Sequence, residues 1–284
     1  MSLENMKEML TRAKAGKYAV GAFNILDYNS MLAVVRAAEE ERAPVILQTS
    51  AKTVEFWGAR PIVAWARAIA EHSPFPVALH LDHCRKLDLI RTCVDAGWTS
   101  VMIDASNKPL EENMAITAEV VAMAAPAKVS VEAELGEIGG VEDELAVADA
   151  EAHLADPRKA ERFCGNVGVD CFAPAIGTAH GIYKGEPKIA FDRLKSIAES
   201  VTVPLALHGG TGLTEEVFKK CIAYGCAKVN ISTQIKHAFI NAFVQYHQQN
   251  RDEYNPLNVL AAQFNRMKQE TRDNIKIFGS SGKA

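Results

Sequence analysis

The strongest constraint on how this chain can fold is an eightfold alternation between two hydrophobic periods. Short apolar runs of β-like composition fall at 18–24, 45–48, 77–81, 100–103, 129–134, 171–173, 205–208 and 228–231. Between them, stretches such as 29–41, 61–72, 87–96, 110–124, 191–200 and 214–224 carry apolar residues on one helical face and charges on the other. Strands joined through helices pair in parallel, and eight repeats without a break in composition predict an α/β chain closed into a (β/α)8 TIM barrel. The competing arrangement is a doubly wound open sheet. Met6, Met9, Leu10 and Ala13 predict an extra N-terminal helix over 4–16, stopped by Gly16. Past Gln234 the pattern gives a long C-terminal helix, a turn at Tyr254-Asn255-Pro256 and a further helix that can cover the barrel or a neighbouring subunit. No linker or low-complexity tract interrupts the chain, so residues 1–284 are expected to form one domain.

The 284 residues suit a barrel of about 250 residues with terminal additions. With 48% hydrophobic and 23% charged residues the chain has the balance of a soluble globular protein. Its net charge of −4 and scattered basic residues argue against a nucleic-acid partner, so an anionic substrate must be held locally. No segment is long and apolar enough for a membrane span, and the first ten residues lack a signal-peptide core, which predicts a cytoplasmic protein. The cysteines at 84, 93, 164, 171, 221 and 226 form no Cys-x-x-Cys pair and read as reduced structural thiols.

The run Val77 to Cys84 changes abruptly from apolar residues to His80, Asp82 and His83 where a strand should end. In a barrel, strand carboxyl ends meet at one mouth, where ligands bind. His83, His180 and His208 all fall at that rim, and three histidines with an open position are the composition of a catalytic zinc site. His80 reads as structural, and His72, His153, His237 and His247 as surface or helix residues. Asp82, Asp104, Glu132 and Glu134 lie at the same rim. Inward-facing acids need a cation, or in the case of Glu132 a histidine or lysine. The glycine-rich turn His208-Gly209-Gly210-Thr211-Gly212 and the segment Asn230-Ile231-Ser232-Thr233 before a helix form a candidate phosphate site after strands seven and eight. Two connections, 135–156 and 174–187, are long and punctuated by glycine, as loops that close over a site are.

Taken together, Tyr-Ala-Val-Gly-Ala-Phe-Asn at 18–24, His-Leu-Asp-His at 80–83, Ser-Val-Met-Ile-Asp-Ala-Ser at 100–106, Val-Ser-Val-Glu-Ala-Glu-Leu-Gly at 129–136, Gly-Gly-Val-Glu-Asp at 139–143, Gly-Thr-Ala-His-Gly at 177–181, Leu-His-Gly-Gly-Thr-Gly at 207–212 and Lys-Val-Asn-Ile-Ser-Thr at 228–233 closely resemble the class II, zinc-dependent ketose-bisphosphate aldolases. The segments run in the family's order over nearly the whole chain. The resemblance implies that His83, His180 and His208 hold zinc, that Asp82 is the acid/base on the aldehyde oxygen, and that Glu142 removes the carbon-bound proton. It implies a second divalent or a monovalent cation at Asp104 and Glu134. Gly181, Gly209, Gly210, Thr211, Asn230, Ile231, Ser232 and Thr233 match the segments that bind dihydroxyacetone phosphate, and Ser50 resembles a residue facing the aldehyde half. The implied protein is a homodimer or homotetramer acting on a small phosphorylated sugar. Zinc would act as a Lewis acid for the charge that proton removal builds on a ketone oxygen, so no Schiff-base lysine is required.

One departure bears on the substrate. Where the family pattern has Asp-Pro-Arg, the arginine reaching a neighbouring subunit's substrate, this chain has Asn255-Pro256-Leu257. The expected reaction is reversible cleavage of fructose 1,6-bisphosphate to dihydroxyacetone phosphate and an aldehyde such as glyceraldehyde 3-phosphate. The alternatives are tagatose 1,6-bisphosphate, or a ketose 1-phosphate whose tail is not a phosphate. From other classes, a zinc hydrolase or a non-catalytic phosphosugar-binding protein would share the histidines, and release of dihydroxyacetone phosphate separates them from an aldolase.

Overall fold

A computed structural model describes residues 3–142, 145–147, 154–183 and 185–284. Its strands are β1 Val20–Asn24, β2 Val45–Ser50, β3 Val77–Cys84, β4 Ser100–Ile103, β5 Ser130–Leu135, β6 Gly139–Glu142, β7 Leu145–Val147, β8 Cys171–Pro174, β9 Ala179–His180, β10 Leu205–Leu207 and β11 Cys226–Ile231. Eight of them close into a barrel in the order β1-β11-β10-β8-β5-β4-β3-β2, and every adjacent pair is parallel. The helices are α1 Met6–Gly16, α2 Tyr28–Glu41, α3 Ala51–Trp57, α4 Ala59–Ala70, α5 Leu87–Ala96, α6 Leu110–Ala124, α7 Pro157–Val167, α8 Phe191–Ser200, α9 Glu215–Ala223, α10 Thr233–Gln249 and α11 Pro256–Ile277. The expected barrel with extra terminal helices is therefore the observed fold, and the open-sheet alternative is not.

Local chemistry places the helix ends. Asp27 caps α2 by accepting from Ser30 N while the Ser30 hydroxyl serves the Asp27 backbone, and Asp156 caps α7 ahead of Pro157. The first strand begins at Val20 rather than at Tyr18. Tyr18 N is engaged by Ala13 O (3.2 Å) and Ala19 N by Phe278 O (3.0 Å), so neither enters the ladder.

Two apolar clusters divide the interior. The larger fills the space between strands and surrounding helices. The smaller lies within the barrel, where Met6, Met9, Leu10 and Ala13 of α1 pack against Val20, Ala22, Ile46, Ala78, Cys171, Ala173 and Ala206. The N-terminal helix thus plugs the barrel at the amino ends of its strands and leaves the opposite mouth for polar residues. α11 lies over α2, held by Lys268–Glu40 (2.7 Å) and Arg272–Glu41 (3.2 Å) ion pairs.

The long connections carry more order than their sequence suggests. β6 and β7, from the loop after β5, pair antiparallel, and β6 pairs in parallel with β9 from the loop after β8. Gly140 sits opposite His180 with φ +91°, and a Cβ there would lie 2.2 Å from His180 O.

Leu10 is fully buried in the plug. Leu10→Ala is expected to cost about 2 to 5 kcal/mol of stability, read as a lower urea midpoint at unchanged slope.

Candidate active site

The three rim histidines converge. His208 follows β10, His180 ends β9, and His83 lies near the end of β3. Ring centroids are 4.6 Å apart for His83–His208, 4.8 Å for His83–His180 and 6.2 Å for His180–His208. One nitrogen from each lies within 4.8 Å of the others. His83 reaches this position by breaking strand geometry. Alternation would put Asp82 and His83 on opposite faces. The register of β3 against β4 shifts between Leu81 and Cys84, and His83 adopts φ +43°. This bulge lets both side chains serve the mouth.

Two of the three rings are backed by acid. Glu132 Oε1 lies 2.7 Å from His208 Nε2, which leaves His208 Nδ1 facing His83 Nε2 at 2.8 Å. Behind His83, its Nδ1 lies 3.5 Å from Asp104 and 3.6 Å from Glu134. Nitrogen donors that converge, with carboxylates on their far sides, fit a divalent ion such as zinc with one position open.

The electrostatics follow from burial and pairing. Burial alone would depress the pKa of His83, but Asp82, Asp104 and Glu134 outweigh it and hold it well above 6.5. Burial, with the charge of His83, pushes His208 down to about 3. Burial and then Asp104 hold Glu134 well above 4.5, while His83, Ser106 and Arg85 overcome burial at Asp104 and keep it low. Burial would raise Glu132, yet Lys228 and then His208 keep it well below 4.5.

Asp82 stands beside this centre, almost fully buried, and accepts from Gln48 Nε2 (2.8 Å) and Asn230 Nδ2 (3.3 Å). Gln48 Nε2 also donates to Asn24 Oδ1 (2.8 Å), which fixes the amide on the inward face of β2. Ser50 is the register partner of Asp82 on β2.

Next to the metal centre, His180, Gly181, Gly209, Gly210, Thr211, Asn230, Ser232 and Thr233 line one small pocket. Its backbone approaches closely: a Cβ on Gly209 (φ +66°) would lie 2.6 Å from Ala179 O, and one on Gly210 2.8 Å from Asn230 O. Ser232 opens α10 without a side-chain capping bond, and its buried hydroxyl has no protein partner. A buried donor left for a ligand, beside the first turn of a helix of 17 residues, is suited to an anion. Tyr183 ties the two walls together, accepting from Ala179 N (3.0 Å) and donating to Gly209 O (2.7 Å).

The sequence profile of the family described as "Fructose-bisphosphate aldolase class-II" matches residues 4–283. The chain belongs to this family. It is 42% identical over 287 residues to a fructose-bisphosphate aldolase of Geobacillus stearothermophilus, covering 100% of this chain and 99% of that protein. It is 40% identical, again over 287 residues and 100% and 99% of the two lengths, to a 6-phospho-5-dehydro-2-deoxy-D-gluconate aldolase of Halalkalibacterium halodurans. Among solved structures, the YdjI aldolase of Escherichia coli K12 superposes with a TM-score of 0.88 at 32% identity, covering 99% of each chain. Membership makes the chain a class II aldolase, a carbon–carbon aldehyde-lyase, and implies a divalent metal.

The aldolase mouth gathers most of the residues singled out from sequence. His83, His180, His208, Asp82, Asp104 and Glu134 form one cluster, and seven of the eight expected phosphate-site residues plus His180 line one pocket. Ile231 differs: it follows inward-facing Asn230, so its side chain joins the apolar layer outside the barrel and only its backbone can face a ligand. The side chain of Glu142 and residue His153 fall outside the described residues. His80 is buried with Nδ1 2.7 Å from Ser100 Oγ, consistent with a structural role, and His72, His237 and His247 are exposed. Gln48 and Asn24 were not anticipated. Their signal is a polar side chain at the carboxyl end of an otherwise apolar strand.

Because Asp82, Asp104 and Glu134 hold His83 well above the usual histidine range, a metal ion at its ring competes with a proton. Affinity for zinc is expected to rise with pH up to the raised pKa of His83, with about one proton released per ion near pH 7. Calorimetric titrations in buffers of different ionisation enthalpy measure that proton, and buffer-independent heats would refute the assignment.

Proposed function

We propose that this aldolase, acting as a single catalytic domain over residues 1–284, reversibly cleaves a ketose 1,6-bisphosphate, with fructose 1,6-bisphosphate the first candidate. The products are dihydroxyacetone phosphate and an aldehyde such as glyceraldehyde 3-phosphate. The observation that carries this reading is that His180 belongs at once to the histidine cluster and to the anion pocket. A phosphate seated there holds the adjacent ketone carbons at the metal centre. His83, His180 and His208 would hold a zinc ion, which would supply a Lewis acid for charge developing on the ketone oxygen. An outer cation, divalent or monovalent, would sit at Asp104 and Glu134 and take over the charge now met by His83 and Arg85, whose Nη2 is 3.2 Å from Asp104.

In the cleavage direction Asp82 takes the proton of the hydroxyl whose carbon becomes the aldehyde. The carbon–carbon bond breaks, its electron pair stays with the dihydroxyacetone-phosphate half, and Glu142 delivers a proton to that carbon. In condensation the roles reverse. Lys228 is paired with Glu132 in the barrel interior (3.0 Å), so its amine is not presented for a Schiff base. Asp82→Ala is expected to lose about 10² to 10⁴ in cleavage rate while still exchanging the carbon-bound proton of dihydroxyacetone phosphate. Glu142→Ala loses that exchange. Normal exchange in Glu142→Ala would remove it as the base, and full activity after chelation would remove zinc.

A second reading concerns the substrate's far end. Leu257 opens α11 with its side chain 70% exposed, where the resemblance calls for arginine. A relative named for a phosphorylated gluconate is 40% identical, against 40–42% for those named for fructose bisphosphate. Ile240, Phe243 and Val244 in the middle of α10, Tyr254 in the turn that follows it, and Leu257 and Leu260 in the first turns of α11 are exposed. This apolar face suits contact with a second copy in a homodimer or homotetramer. Hydrogen bonds to charged groups are worth roughly 1.5 to 3 kcal/mol, or about ten- to a hundredfold in binding. A native enzyme lacking that arginine therefore accepts ketose 1-phosphates with a tail other than phosphate. Leu257→Arg is expected to raise kcat/KM for fructose or tagatose 1,6-bisphosphate by that factor, measured by coupled release of dihydroxyacetone phosphate. Strong native preference for a bisphosphate with no gain in the variant would show that another residue holds the second phosphate.

A further inference from the structure

Lys228, Glu132 and His80 are fully buried in the barrel interior below the histidine cluster. Lys228 Nζ lies 3.0 Å from Glu132 Oε2 and 3.2 Å from Oε1. Glu132 Oε1 is also 2.7 Å from His208 Nε2, and His80 Nε2 is 3.7 Å from Oε2. A fully buried lysine is rare, and an apolar side chain of equal volume is often the more stable choice at such a place. The adjoining layer would accept one, since Ala22, Ala78, Ala206 and Ile46 already pack there against α1. The ion pair is therefore retained against the local preference for apolar filling.

Its geometric effect is on His208. With Lys228 Nζ within 3.2 Å of both oxygens, Glu132 is held against the pull of His80 and keeps Oε1 on His208 Nε2. An imidazole that donates from Nε2 presents the lone pair of Nδ1, and Nδ1 is the atom turned toward His83. We propose that Lys228 is a positioning residue of the metal centre, acting through Glu132 to lock the ring and tautomer of His208 for ligation by Nδ1. The inference rests on the metal-dependent reading above.

The test compares metal-free native protein, Lys228→Met and the double variant Lys228→Met/Glu132→Gln, each checked for native circular dichroism. Zinc affinity is measured by competition with a chromophoric chelator, and the ligand field by the visible bands of the cobalt(II) form. Both variants are expected to bind zinc about 10- to 100-fold more weakly, with shifted cobalt bands. Native affinity and bands in folded Lys228→Met overturn the proposal. If Lys228→Met does not fold, the double variant decides, because it removes both charges at nearly constant volume, and native affinity there overturns the proposal equally. Failure of the native chain to bind zinc overturns the metal-dependent reading itself, a result distinct from equal affinities in native and variant.

Discussion

Moving an ion from water into a protein interior is unfavourable by several kcal/mol unless partners replace its hydration. The mouth of this barrel is shaped by that constraint. Carboxylates at 82, 104 and 132 are set against Lys228, Arg85 and His83, so buried charge is balanced before any ligand arrives. Burial and Asp104 hold the Glu134 carboxyl well above the usual carboxylate range. A divalent ion proposed for such a site would compete with a proton at His83 instead of meeting uncompensated charge. The apolar plug below, built from α1 and the small residues Ala22, Ala78, Ala173 and Ala206, isolates this charged region from water on the opposite side of the barrel.

Much of this was legible in the sequence because two periods, 2 and 3.6, repeat with regular spacing. All eight barrel strands overlap the runs read from alternation, and the rim histidines follow from their place at strand ends. The details that resisted are those where backbone departs from its period. His83 shares the mouth with its neighbour Asp82 only through a bulge and a positive φ that no residue type announces. The sheet formed by β6, β7 and β9 joins two connections whose pairing depends on tertiary contact. Gln48 was readable in retrospect, since period 2 puts it on the face shared with Ser50. Ile231 was matched as part of a motif, while alternation from Asn230 already turned it outward.

That small sheet gives the connections a mechanical role. β6 leads to Glu142, and β9 ends at His180, with Gly140 opposite His180 across the ladder. The clearance is so tight that only a residue without Cβ fits at 140. A displacement of the β6 backbone therefore reaches a residue of the histidine cluster directly. The strands carrying the proposed base and one proposed metal ligand are linked by main-chain hydrogen bonds, which resist independent movement better than side-chain contacts between two separate loops would.

The two ends of the substrate site rest on different kinds of structure. The anion pocket is built from backbone at Gly209 and Gly210, from the first turn of α10 and from Ser232, and its dimensions are set by atoms that nearly any side-chain change elsewhere leaves in place. The residue expected to meet the far end is Leu257, an exposed side chain on the first turn of α11 with few constraints from packing. Substitution there alters charge without disturbing the barrel, the metal centre or the phosphate cradle. A family built this way can change the tail it accepts while conserving the reaction. Overall identity near 40% is shared with relatives named for different substrates, so identity alone does not specify the tail, which must be read from the few residues that touch it.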